Sequence, residues 1–133
     1  MSKFRAKNIQ ASFKYALNGL ALIFKSQRNI KIQILFALFA VLIGIILRFN
    51  AFDFVILAIL IMLVLGAEMV NTVIEFILDS IYKRKYSRIA KIAKDMSAGM
   101  VLFVTVVTVI CGIVLFGYKY YELVNKGVYF LCC

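Results

Sequence analysis

From Met96 to Tyr118 the chain reads MSAGMVLFVTVVTVICGIVLFGY, a run whose polar members are only Ser and Thr. About 20 such residues in helical form cross the hydrocarbon core of a bilayer. Two further stretches have the same character. Ile32 to Leu47 is interrupted by Gln33 alone, and Phe54 to Ala67 carries no polar side chain before running on into EMVNTVIEFILD. We read three transmembrane helices over 31–49, 53–79 and 95–118, the second projecting beyond the bilayer at its C-terminal end. The expected fold is an all-α membrane protein, a single membrane domain over 1–133. Composition agrees: 65% of residues are hydrophobic, against about 45–50% in ordinary soluble domains.

Charge placement sets the expected topology. The net charge is +10, from 16 Lys and Arg against 6 Asp and Glu. Seven of the basic residues (Lys3, Arg5, Lys7, Lys14, Lys25, Arg28, Lys31) fall in residues 1–31, and six (Lys83, Arg84, Lys85, Arg88, Lys91, Lys94) in the connection 80–94. Around the short turn from the first span to the second only Arg48 is basic, and the tail 119–133 holds only Lys119 and Lys126. Positive charge gathers on the cytoplasmic side, which places the N-terminus inside a cell membrane and the C-terminus outside. The charge is thus a topology signal; a basic nucleic-acid binder would need a soluble core to carry it, and none is visible.

Near the N-terminus, Ile9, Phe13, Leu17, Leu20 and Phe24 recur at helical spacing, with Lys7, Lys14 and Lys25 elsewhere on the wheel. This predicts an amphipathic helix over 4–25 lying in the cytoplasmic interface; the alternative is a soluble helix packed on the cytoplasmic connection. Lys14 and Asn18 interrupt the early apolar positions, and no small-residue cleavage site follows, so no cleavable signal peptide is expected. Cys111 reads as a small apolar filler within the third span, and Cys132 and Cys133 carry no assigned function.

Three of the six acidic residues share one stretch of the second span. At about 100° per residue, Glu68, Asn71, Glu75 and Asp79 project within an arc of roughly 80°, with Thr72 on its border. The opposite face, with Val70, Val73, Ile77 and Ile81, suits lipid or packing. An ionisable residue inside a span costs several kcal/mol and faces a protein interior or a wet cavity. Counting about 20 residues from Phe54 puts Glu68 just inside the cytoplasmic boundary and Glu75 at it. A site there addresses a lipid headgroup from one side and a water-soluble molecule from the other. The bland alternative is that Glu75 and Asp79 are solvated helix-end charges paired with Lys83 or Arg84, which explains Glu68 and Asn71 poorly. The third span opens on Lys94-Asp95 and then Ser97, Ala98 and Gly99, small residues that let helices approach closely. Taken alone, Lys94 and Asp95 form an ordinary helix-start arrangement.

The chain has no histidine, which excludes His-based zinc sites and Ser-His-Asp triads. Phosphate-cradling G-x-x-x-x-G-K-[ST] and dinucleotide G-x-G-x-x-G motifs are absent as well.

The stretch Ala67-Glu68-Met69-Val70-Asn71-Thr72-Val73-Ile74-Glu75, then Asp79, then Ala90-Lys91-Ile92-Ala93-Lys94-Asp95 and Ala98-Gly99, resembles the small bacterial diacylglycerol kinase/undecaprenol kinase family. Tyr15-Ala16-Leu17-Asn18-Gly19-Leu20 and Arg28-Asn29-Ile30-Lys31-Ile32 match as well, so that the resemblance runs from about residue 10 to 116. It implies a membrane-embedded lipid kinase, a homotrimer with active sites shared between subunits. Such an enzyme moves the ATP γ-phosphoryl group to a lipid alcohol with Mg²⁺. Carried over by motif, Glu68 is the general base and Glu75 a ligand of the metal on the ATP phosphates. Asn71 and Asp79 support them, Lys94 and Asp95 orient the nucleotide, Tyr15 lies near it, and Ala98 borders the lipid. Phosphoryl transfer asks chiefly for positioning and charge neutralisation, so no Walker loop is needed. The A-K-I-A-K-D-x-x-A-G and R-N-x-x-I patterns look more like the undecaprenol branch than the diacylglycerol branch.

Three departures fall on the nucleotide side. Gln27 stands where the family places a second metal-binding Glu; an amide oxygen still coordinates Mg²⁺ but brings no negative charge. The connection is one residue longer than usual, and the family's Glu-Tyr-His appears as Lys85-Tyr86-Ser87, where Lys85 could meet a phosphate. The family's early Arg has no clear match, with Asn8 in line and Arg5 nearby. Two other readings compete with an active kinase. One is a catalytically impaired relative acting as a lipid-binding or partner membrane protein. The other is a transporter using Glu68 as a proton-coupled carboxylate; such sites lie near the midplane, where this chain offers no ionisable residue.

Overall fold

No proline interrupts the chain, so its helices end only where a residue leaves helical geometry. The computed structural model describes residues 8–83 and 85–131, and the side chains of 8–25, 27–83 and 85–125. Lys3, Arg5, Lys7, Arg84, Cys132 and Cys133 lie outside the described residues, as does the start of the predicted 4–25 helix; the side chain of Lys126 is outside the described side chains. The described residues form four helices: α1 (Ile9–Ser26), α2 (Arg28–Ile46), α3 (Ala51–Tyr82) and α4 (Arg88–Leu131). The fold is all-α, and α2, α3 and α4 are each long and apolar enough to cross a membrane.

Gln27 alone divides α1 from α2. Its backbone is extended (φ −105°, ψ 119°), although its N–H still donates to the carbonyl of Ile23. The turn from α2 to α3 is more elaborate. Arg48 adopts the left-handed conformation, φ 54°, and the N–H groups of Arg48 and Phe49 donate back to the carbonyls of Ile45 (3.1 Å) and Gly44 (3.0 Å). This is the Schellman closure, which usually places glycine at the left-handed position because a Cβ is disfavoured there. Asn50 then caps α3: its side chain accepts from the N–H of Asp53 at 3.0 Å, while the Asp53 carboxylate accepts from the N–H of Asn50 at 2.9 Å. Orphan donors of the first turn are thereby satisfied reciprocally.

The Phe49 ring folds back onto Gly44 and packs between Phe54 and Phe116, with ring centroids 5.6 and 5.0 Å away. Gly44 is required by this approach, since a Cβ there would stand 3.2 Å from Phe49 Cδ2 and 3.4 Å from Phe54 Cε1. Gly44→Val is expected to destabilise the fold by about 1–3 kcal/mol through overpacking, read as a lower unfolding midpoint in detergent micelles.

α3 is the central helix, packing against α4 along much of its length and against α2 to a lesser extent; α1 has no interface of comparable extent. At one end of the α3–α4 pair, Lys119 Nζ lies 2.8 Å from Asp53 Oδ2 and 2.9 Å from Glu122 Oε2, with the Lys119 and Asp53 side chains both 9% exposed. This cluster lets the helix run on past the predicted end of the third span at 118. Lys119 finds carboxylates instead of water, and α4 continues through the expected tail as far as Leu131. The connection expected over 80–94 is likewise short, because α3 runs to Tyr82 and α4 begins at Arg88. Lys83 turns the chain with φ 47°, and the Ser87 hydroxyl accepts from the N–H of Ala90 at 3.4 Å to start α4.

Large apolar side chains cover the outside of the three long helices, among them Phe36, Phe39, Met62, Phe103 and Ile113. In water such a surface would aggregate; in hydrocarbon it is solvated. Cys111 belongs to it. It is exposed rather than packed inside, a correction to its reading as a filler: the α4 side bearing it turns away from α3.

Candidate active site

The acidic stripe of α3 becomes steadily more exposed along the helix. Glu68 is 3% and Asn71 6% exposed, Glu75 is intermediate, and the Asp79 side chain is 50% exposed. On the other face Val70, Val73, Ile77 and Ile81 are 46–65% exposed. The stripe therefore faces α2 and α4, and the residues of the opposite face look outward.

Each buried member has a partner. Asn71 accepts from the Ser97 hydroxyl on α4 at 2.6 Å and donates through Nδ2 to Glu75 Oε1 at 3.3 Å. The chain Ser97–Asn71–Glu75 fixes the carboxylate through an amide that has itself been oriented from the neighbouring helix. The Thr72 hydroxyl donates to the carbonyl of Glu68 at 2.9 Å, one turn back. Glu68 Oε2 accepts from Gln33 Nε2 on α2 at 3.4 Å. At the exposed end Lys94 Nζ pairs with Asp79 Oδ1. Solvent-exposed pairs of this kind contribute little stability, and this one sets an ammonium group beside the stripe.

Glu68, Asn71 and Glu75 open onto a polar pocket of about 400 Å³, completed by Asn29, Ile32 and Gln33 of α2 and by Ala98, Val101, Leu102 and Thr105 of α4. Ala98, predicted to border the lipid, thus shares this wall with Glu68. Tyr15, Gln27, Lys85, Tyr86, Ser87 and Asp95 are not part of the lining. Tyr15 is 62% and Tyr86 83% exposed, Ser87 serves as the start of α4, and Lys85 and Asp95 are exposed. Within the chain the pocket gathers Glu68, Asn71, Glu75 and Ala98, and Tyr15, Gln27, Lys85, Tyr86, Ser87 and Asp95 stand outside it.

Of the two predicted metal ligands, Glu75 lines the pocket and Gln27 does not. Mg²⁺ takes oxygen donors, one or two carboxylates together with substrate phosphates. Glu75 has one oxygen held by Asn71, which leaves the other for such an ion at the pocket. Gln27 sits in the break between α1 and α2 with no side-chain capping bond. Among the described residues no group of three or more acidic or cysteine side chains stands together as a metal cluster.

The family model described as prokaryotic diacylglycerol kinase matches residues 14–116. The chain belongs to that family. A diacylglycerol kinase of Synechocystis sp. is 35% identical over 107 residues, covering 80% of this chain and 61% of that protein. The chain therefore spans about three-fifths of the length of this curated relative. No solved structure matches it. Within the prokaryotic diacylglycerol kinase family match lie all the stripe residues, Gln27 and the Lys94-Asp95 pair.

Gln33, which lines the pocket, and Ser97, which holds Asn71, stand out in the structure but not in the sequence. Gln33 read only as an interruption of an apolar run, and Ser97 only as a small residue. A lone amide inside an apolar span was the available signal for Gln33, because an unpaired amide in hydrocarbon is costly. For Ser97 there was none, since serine is common at helix–helix contacts.

Proposed function

We propose that the chain is an ATP-dependent lipid kinase that phosphorylates a membrane lipid alcohol at the pocket around Glu68. The observation that carries this reading is a nearly buried carboxylate at the junction of a polar pocket and a transmembrane apolar surface. Glu68 takes the proton of the lipid hydroxyl as the lipid oxygen bonds to the γ-phosphorus and the bond to the ADP oxygen breaks. Asn71, held by Ser97, orients Glu75. Glu75 would hold Mg²⁺, which when bound neutralises charge on the ATP phosphates. Lys94, steered by Asp79, stands where it can meet a phosphate oxygen, and Asp95 lies beside it. Tyr15, Lys85, Tyr86 and Ser87 belong to the nucleotide side in this reading. Their separation from the pocket in one chain favours a homotrimer in which a neighbouring subunit completes each site. The basic segments support a cytoplasmic location for that side of a cell membrane, with the C-terminus outside.

Undecaprenol is the substrate we favour, on the A-K-I-A-K-D-x-x-A-G pattern; diacylglycerol, yielding phosphatidic acid, is the alternative. Purified protein in mixed micelles with γ-labelled ATP is expected to label undecaprenol more efficiently than diacylglycerol. Labelling of diacylglycerol alone reverses the substrate assignment, and labelling of neither, over a range of Mg²⁺ and Mn²⁺, ends the kinase reading in favour of an impaired lipid-binding relative.

Gln27 offers a further measurement. If it stands near the metal in the assembled enzyme, Gln27→Glu adds a charged oxygen ligand, and the Mg²⁺ concentration for half-maximal rate should fall about tenfold, equivalent to ~1.4 kcal/mol of metal binding. An unchanged metal titration would remove Gln27 from the metal site.

A further inference from the structure

Gln33 is the one polar side chain in the apolar run of α2, Ile32 to Leu47. A buried amide costs free energy unless both its ends are hydrogen-bonded. Here only one end is. Nε2 donates to Glu68 Oε2 at 3.4 Å, whereas Oε1 is buried without a hydrogen-bond partner. Proteins pair the great majority of such atoms, so a half-paired amide within a membrane span calls for a reason other than packing. Its position supplies one. Gln33 and Thr105 line both the polar pocket of Glu68 and an adjoining apolar cavity of about 420 Å³ that runs on past Leu57 and Val64 to Phe116. The Thr105 hydroxyl donates its proton to the carbonyl of Val101 at 2.8 Å. Gln33 is therefore the residue that brings a buried, unpaired side-chain atom to the border between the two cavities.

We propose that Gln33 is a positioning residue for Glu68 whose amide serves both protonation states of that carboxyl group. The inference rests on the kinase reading above. With Glu68 ionised, the Nε2–H holds Oε2 and directs the other oxygen to the lipid hydroxyl. When the lipid oxygen has bonded to phosphorus and ADP has separated, the hydroxyl proton is on Glu68, and the neutral carboxyl needs an acceptor instead of a donor. Half a turn about the last bond of the Gln33 side chain exchanges Nε2 for Oε1, which accepts that O–H. The two ends of the amide are nearly equal in size, so the turn needs no repacking. The proton then passes to water in the polar pocket, and the amide turns back. An aliphatic residue serves neither state of Glu68, and a cationic one serves only the ionised state.

Two measurements test this. In protein carrying ¹³C-carboxyl glutamate, Gln33→Leu should shift one carboxylate infrared band, the band that Glu68→Gln removes. In label-transfer assays Gln33→Leu should lower kcat about tenfold, the equivalent of a lost hydrogen bond to a charged group, with the lipid KM within about twofold. Gln33→His, which also donates or accepts, should recover most of the loss, and Gln33→Leu should cost nothing further in the Glu68→Gln background. Gln33→Met keeps the length of the side chain and replaces Gln33→Leu should the latter not fold. A wild-type chain that transfers label while the band stays in place, or additive losses in the double variant, overturns the proposal alone. A wild-type chain that transfers no label overturns the kinase reading and this proposal with it.

Discussion

Glu68→Gln is expected to lower lipid phosphorylation by about 10²–10⁴-fold, the span that a positioned general base contributes. The substitution is nearly isosteric. The Thr72 hydroxyl bonds the backbone carbonyl of residue 68, not its side chain, so that contact survives. Burial at 3% exposure also favours a neutral amide over a carboxylate, and the variant should fold and elute as the wild type does. The loss should therefore appear in kcat at saturating ATP and lipid, with KM for the lipid little changed. Raising Mg²⁺ should not restore it. Glu75→Gln makes the contrast: if that carboxylate holds the metal, part of its loss should return at high Mg²⁺. A Glu68→Gln variant within about tenfold of the wild type would exclude Glu68 as the base.

Asn71→Leu is expected to have the second-largest effect, and on two observables at once. The amide is 6% exposed and joins Ser97 on α4 (2.6 Å) to Glu75 (3.3 Å). Leucine has a similar volume but makes neither bond. Ser97 retains the carbonyl of Lys94 as an acceptor at 3.0 Å, so the group left without its donor is the Glu75 carboxylate. Removing one partner of a buried polar contact costs about 1–3 kcal/mol, which should lower the unfolding midpoint. Activity should fall about 10²-fold, the scale on which displacement of a positioned group by about 1 Å acts. Ser97→Ala should be milder on both counts, because the bond from Asn71 to Glu75 remains. Equal effects of the two substitutions would mean that Asn71 serves only to hold Ser97.

The spans and the stripe were legible because each is a one-dimensional signal. Ile32–Leu47, Phe54–Ala67 and Met96–Tyr118 announce themselves by hydropathy alone. Glu68, Asn71 and Glu75 stand out because carboxylates are rare in apolar surroundings and because helical spacing puts them on one face. What could not be read were contacts between helices. Gln33 meets Glu68 across the α2–α3 interface, and Asp53 meets Lys119 across the α3–α4 interface; the pairing depends on which faces pack, which periodicity does not determine. Helix ends are hard to read for a related reason. Lys119 opens the expected outer tail, and its partners Asp53 and Glu122 account for a helix that carries a lysine onward. Gln27 and the Lys85-Tyr86-Ser87 segment stand out in the sequence, but they do not line the pocket of Glu68.

The pairing of Asp53 with Lys119 at one end and of Asn71 with Ser97 toward the other has a consequence for alignment. Along α3 the first members stand five full turns apart, roughly 27 Å, and along α4 the second members roughly 33 Å. Side chains lean toward the start of their own helix, so the long lysine leans back over the difference. Two smooth apolar rods could slide past each other by a turn, about 5.4 Å, and bury nearly the same area. Unequal intervals do not permit it: a slip that re-partnered one polar contact would strand the other. Together they act as a vernier, on which a single setting of α4 against α3 brings both marks into coincidence.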